Sequence, residues 1–205
     1  MGRVYLAEHT KIGRRVALKM LHSHFATSAE VVRRFFDEAR AVNRILHEHI
    51  VEITDFIENQ DGNNYFIMEH LRGSALSESM QPAEGESPLA RSLGIVVQVA
   101  SALSAVHTAN IVHRDLKPEN IFLTQRGGQK DYVKLLDFGI AKLTGDHGAG
   151  MKLQKTQAGV IMGTPDYMSP EQASATAVDH RTDIYSLGII LYELCTGQLP
   201  FIADN

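Results

Sequence analysis

From Arg3 to Leu71 the apolar residues alternate or run in short stretches, interrupted once by a helical pattern. Past "HLRGSAL", residues 70–76, long helical patterns take over. A strand repeats every two residues and a helix every 3.6, so one packing scheme cannot serve both stretches. The change of period therefore divides the chain: a sheet with one helix over 1–71, a mainly helical part over 72–205, and a hinge between them. In the first part "RVYLAEH" and "RRVALKML" read as an antiparallel pair turned by "KIG". "TSAEVVRRFFDEARAVNRILHEH" reads as a helix capped by Thr27 or Ser28, with Val32, Phe35, Ala39, Val42 and Leu46 on one face. "IVEITDFIENQDGNNYFIMEHL" reads as two strands joined by "NQDGNN", and "SPLARSLGIVVQVASALSAVHTAN" as a long helix.

Charge and cysteine content narrow the function classes. A net charge of -4, with no basic stripe, argues against a nucleic-acid partner. The single cysteine, Cys195, excludes internal disulfides and suits a reducing compartment, so a cytoplasmic location is expected. "MGRVYLAEHTK" lacks the apolar core of a signal peptide and the serine or threonine of a myristoylation signal. "SLGIVVQVASALSAVH" and "IYSLGIILYELC" read as buried helices too short to cross a bilayer, so no membrane segment is expected. The pairs "HSH" and "HEH" lack zinc-ligand spacing, and no cysteine partners accompany them.

The chemistry concentrates in "IVHRDLKPENIF", residues 111–122, where charges and a proline sit between apolar flanks. "NIFLT", the turn "QRGGQ" and "YVKLLD" make a hairpin, which brings the start of its first strand beside the end of its second. Asn120 and Asp137 then meet at the open end, next to Asp115 and Lys117. Their oxygens suit a hard cation such as Mg²⁺.

"HRDLKPEN" followed by "DFG" at 137–139 resembles the catalytic and magnesium loops of eukaryotic-type protein kinases, most closely the bacterial serine/threonine kinases. "VALK", a helical Glu38, "GTPDYMSPE" and "DIYSLG" follow the family's order, and the resemblance covers the whole chain. It implies an α+β bilobal fold. It also implies a non-specific serine/threonine protein kinase using ATP and Mg²⁺ on a protein substrate, in signalling. Lys19 would neutralise the nucleotide phosphates and pair with Glu38. Helical phase supports that pair, since Glu38 falls between Val42 and Ile45 on the apolar face while Asp37 points away. Asp115 would orient the acceptor hydroxyl and take its proton, Lys117 would meet the transferring phosphoryl group, and Asn120 and Asp137 would hold the metal. Met68 would sit behind the adenine, the backbone of Glu69 and Leu71 would hydrogen-bond it, and Val4, Ala17 and Phe122 would close over it. His113 and Phe138 read as packing residues.

"DLKPEN" resembles the serine/threonine version of the loop, and Thr164 would contact Asp115 and Lys117 beneath the acceptor. Arg114 would pair with a phosphate on the activation segment, at Thr156 or Thr144. The glycine-rich phosphate loop departs from the pattern, since only its last glycine, Gly2, is present. The family's first strand and last helices are missing too. A kinase domain cut at both ends is thus expected, with a buried, unpaired Glu171 and a partly uncovered helix over 183–196. A kinase-like binding or scaffold fragment is the rival. Its usual marker, a lost catalytic Lys, Asp or Asn, is absent.

Overall fold

The computed structural model describes residues 2–25, 28–59, 63–81, 84–85, 87–138 and 165–201, the side chain of Glu38 excepted. Strands β1 (Gly2–Glu8) and β2 (Arg15–Leu21) pair antiparallel. Gly13, at φ 66°, closes their turn by donating its N–H to His9 O at 2.8 Å. With β3 (Ile53–Ile57) and β4 (Tyr65–Glu69) they form a four-stranded sheet in the order β1-β2-β4-β3.

Helix α1 (Ala29–Asn43) is opened by Ser28, whose Oγ accepts the N–H of Val31. It buries Val32, Phe35, Phe36, Ala39 and Val42, and Phe35 packs on Phe66 of β4 with ring centroids 4.9 Å apart. The expected Leu46 is not on that face. The helix stops at Asn43, where Arg44 N–H turns back to Ala41 and Val42, so the helical phase no longer applies. Leu46 is 95% exposed and Ile45 is buried instead.

Helix α2 (Pro88–Thr108) begins at the cap Ser87 with proline in its first turn. At 21 residues it is long and apolar enough to cross a membrane, which corrects the expectation that its apolar stretch is too short. In this fold it serves as a core helix. Ile95, Val99, Ala102, Leu103 and Val106 are buried in the main hydrophobic cluster, and Arg91 pairs with Asp131 at 2.9 Å. Helix α4 (Arg181–Thr196) buries Ile189, Ile190 and Leu194 in the same cluster, while Ile184 and Tyr192 are exposed. Gly197 in the left-handed region ends it.

A second sheet, ordered β5-β6-β7, carries the chemistry-bearing loop. Strands β6 (Ile121–Arg126) and β7 (Gln129–Leu135) are the expected hairpin, turned by Gly127 and Gly128 at φ 58° and 84°. Strand β5 (Gly73–Ala75) adds to the β6 edge. Gly73 is required there, because its φ is +153° and a Cβ would lie 1.9 Å from Leu123 O.

Candidate active site

The hairpin register sets the site. Ile121 pairs with Leu135, and the ladder continues past the strand ends as Leu136 N–H donates to Asn120 O at 2.8 Å. Asp137 therefore emerges beside Asn120, as the alternation requires. Asn120 is buried, and its amide nitrogen donates to the Asp115 carbonyl at 2.7 Å and carboxylate at 3.2 Å. That fixes the amide: NH₂ faces Asp115, and Oδ1 is the end left for a cation. Lys117 Nζ lies 3.6 Å from Asp115 Oδ2.

The four-stranded sheet supplies the remaining cation. Directly opposed residues of antiparallel strands share a face. Val4 opposes Lys19, Lys19 opposes Phe66, and Ala17 opposes both Leu6 and Met68. Val4, Ala17, Lys19 and Met68 thus line one face, with Gly2 opposite Leu21 at its edge. Lys19 is 8% exposed and donates to Asp137 Oδ1 at 2.6 Å, across 118 residues of sequence. Phe122 lies on β6 opposite Ala75 and Lys134. Glu69 ends β4, and Leu71 follows it, partly buried.

Two expectations about charge pairs meet different outcomes. Asp37 pairs outward with Arg40 at 3.1 Å and Arg33 at 3.9 Å, as the phase argument requires, while the Glu38 side chain lies outside the described residues. Glu171 is partly exposed rather than buried and unpaired. Its own N–H and the hydroxyls of Ser169 and Thr182 hydrogen-bond it, holding its pKa below the ordinary carboxylate value. Thr144, Thr156 and Thr164 lie outside the described residues.

The backbone around Asp115 is held in an unusual shape. Arg114 at φ 64° and Asp137 at φ 36° both occupy the left-handed side, a cost of roughly 1–3 kcal/mol for a non-glycine residue. Asp183, fully buried at the start of α4, offsets that strain. Its carboxylate accepts His113 N–H at 2.9 Å, Arg114 N–H at 2.8 Å and a contact from His107 Nε2 at 2.7 Å. Gln172 Nε2 adds a bond to Arg114 O at 2.8 Å, from short helix α3 (Pro170–Ala173). Tyr167 donates to Glu193 Oε2 at 2.7 Å, and Ser186 Oγ donates to Tyr167 O, tying the preceding strap to α4.

Sequence reasoning assigned no role to Asp183. The signal was present, since Asp183 shares the helical face of Ser186, Ile190 and Leu194. Its helical phase marks it for burial just as Glu38 is marked.

His113 is fully buried against the Phe138 ring at 4.6 Å. Its Nε2–H donates to Leu136 O at 3.0 Å and its Nδ1 accepts Asp115 N–H at 3.3 Å, a pattern only neutral imidazole can satisfy. Burial lowers its pKa, outweighing the nearby carboxylates. The folded pKa thus lies below the unfolded value of about 6.5, and the unfolded chain binds more protons between them. His113 contributes stability fully above that value and loses it as pH falls toward the folded pKa. Urea unfolding at a series of pH values should show stability falling on acidification below pH about 6.5. The slope should be shallower in His113→Phe; equal slopes would exclude the assignment.

A cleft of about 590 Å³ between the end of α1 and the C-terminal half of α2, lined by Leu46, His47, Ser101 and Thr108, touches none of these residues.

Over residues 1–205 the chain matches the family described as "Protein kinase domain". It is 51% identical over 203 residues to Serine/threonine-protein kinase Pkn1 of Myxococcus xanthus, covering 98% of this chain and 28% of that protein. To pkn3 of the same organism it is 44% identical over 207 residues, covering 100% of this chain and 37% of that protein. The chain therefore spans about a third of the length of these curated relatives. Among solved structures, the Mycobacterium tuberculosis PknI kinase domain superposes with a TM-score of 0.70 at 30% identity, over 100% of this chain and 72% of that one.

Proposed function

Since the chain belongs to the protein kinase domain family, whose members use ATP and typically Mg²⁺, we propose that it transfers the γ-phosphoryl group of ATP to serine or threonine hydroxyls of proteins. One observation carries the reading. A lysine of β2 and an aspartate beyond β7 meet at 2.6 Å, beside the asparagine that holds Asp115. Three separated segments thus converge on one point with the charges that phosphoryl transfer needs. Lys19 neutralises nucleotide phosphates from the sheet face that also presents Val4, Ala17 and Met68. Asp115, held by Asn120, orients the acceptor hydroxyl and takes its proton, and Lys117 faces the group in transfer.

Asn120 Oδ1 and the Asp137 carboxylate suit Mg²⁺, which binds few protein oxygens beside phosphates and water. When bound, the ion would neutralise charge on the phosphates. Arg114 supports a regulatory reading. Its Nε is buried without a hydrogen-bond partner among the described residues, as befits a receptor for a phosphate on Thr156 or Thr144. Thr156→Ala should then remove any gain in rate on autophosphorylation, and an undiminished gain would exclude that threonine.

The test of the function is direct. Purified protein given γ-labelled ATP, Mg²⁺ and peptides bearing serine, threonine or tyrosine should yield phosphoserine and phosphothreonine alone. Chelation by EDTA should abolish the label. Phosphotyrosine as the main product, or no label at all with the chain folded, would overturn the reading. A binding-only role would then be favoured.

A further inference from the structure

Among the described residues two lysines are buried, Lys19 and Lys134, each 8% exposed. Lys134 has no role above. It sits on β7 opposite Phe122, so the two side chains share a face. Its ammonium donates to Glu69 Oε1 at 2.6 Å and to Ile50 O at 3.2 Å. The same Glu69 oxygen accepts Glu52 N–H at 2.9 Å. On either side of the lysine's reach, Leu135 N–H bonds His49 O at 2.8 Å and Val51 N–H bonds Leu135 O at 3.1 Å. The result is a strut from β7 through segment 49–52 to the end of β4.

Stability alone does not account for such a strut. Withdrawing an ammonium and a carboxylate from water offsets most of their attraction, and an apolar pair of equal volume often holds a core as well. What the ion pair adds is a fixed length and direction, because both groups are spanned by further hydrogen bonds. One end is Glu69, whose backbone is read as the adenine edge. The other is the strand that runs into Asp137.

We propose that the side chains of Lys134 and Glu69 are positioning residues for the nucleotide, setting the adenine edge at a fixed distance from the phosphate and metal end at Asp137. The proposal rests on the nucleotide-binding reading above. Neither side chain touches the reacting atoms, so the effect should fall on nucleotide binding rather than on chemistry.

The test uses the full chain with Lys134→Met, Glu69→Gln, both together, and Arg91→Met as a control that breaks the Arg91–Asp131 pair at the far end of β7. Adenosine affinity, the KM for ATP, kcat and the urea midpoint are measured for each. Lys134→Met should raise the adenosine Kd and the KM for ATP by about ten-fold or more, with kcat at saturating ATP changing far less. Glu69→Gln should shift them in the same direction, and the double variant should be no worse than Lys134→Met. Arg91→Met should lower the urea midpoint and leave adenosine affinity unchanged. If Lys134→Met fails to fold, Glu69→Gln decides alone, since its amide oxygen still accepts the Glu52 N–H. Wild-type adenosine affinity in folded Glu69→Gln, or an equal loss in Arg91→Met, overturns the proposal. A wild-type chain that binds neither adenosine nor ATP defeats the nucleotide reading itself, and the proposal with it.

Discussion

Asp115→Asn should lower phosphoryl transfer by about 10²–10⁴-fold, the range expected when a general base is removed, and should leave nucleotide affinity nearly unchanged. The replacement keeps size and shape, and Asn120 still bonds the backbone carbonyl of residue 115, the stronger of its two contacts at 2.7 Å. The loop should therefore remain in place. What disappears is the negative charge and proton acceptor proposed to face the hydroxyl. Nucleotide contacts are assigned to Lys19 and Asp137, which meet each other. Single-turnover transfer and equilibrium ATP binding, measured on the same preparation, separate the two roles. Asp137→Ala is the contrast: it should lose nucleotide and metal binding outright. If Asp115→Asn loses ATP binding as completely as Asp137→Ala, the division of labour is wrong.

Asp183→Ala should cost the fold most of its stability, although Asp183 touches no reacting atom in this assignment. Two backbone N–H groups and the His107 ring converge on its carboxylate, which has no exposed surface. Each buried group left without a partner costs about 1–3 kcal/mol. Two or three of them rival the about 5–15 kcal/mol that holds a typical domain together. The positive φ of Arg114 would also lose its anchor. Asp183→Asn should restore little, because an amide NH₂ would confront one of the N–H donors. His107→Gln should be milder, since it removes one contact at a partly exposed site. Urea midpoints for the three variants give the ranking. An unchanged midpoint in Asp183→Ala would show that the carboxylate is dispensable to this backbone.

Local pattern and tertiary packing divided the work unequally. The hairpin of β6 and β7 was legible because its strands, glycine turn and register follow from neighbouring residues, and register carries Asn120 to Asp137 without further information. The outward turn of Asp37 was legible for the same reason, and the cap of α1 was narrowed to Thr27 or Ser28, of which the structure uses Ser28. Leu46 was misplaced because a helix end depends on where the chain must go next, which 3.6-residue periodicity does not record.

The sequence by itself determined most of the strands and the long helices, their order, the hairpin that gathers Asp115, Lys117, Asn120 and Asp137, and through its motifs the family, but not the short β5 and α3. These are short-range matters, settled by dihedral preference, side-chain period and turn chemistry. Only the tertiary structure decided that Lys19 meets Asp137, that Asp183 collects the backbone N–H groups beside Asp115, and that Lys134 reaches Glu69. These partners are 118, 69 and 65 residues apart. No local rule pairs residues so distant. They meet because two sheets and three helices close on one core, and a buried charge must find its counter-charge wherever that packing leaves it.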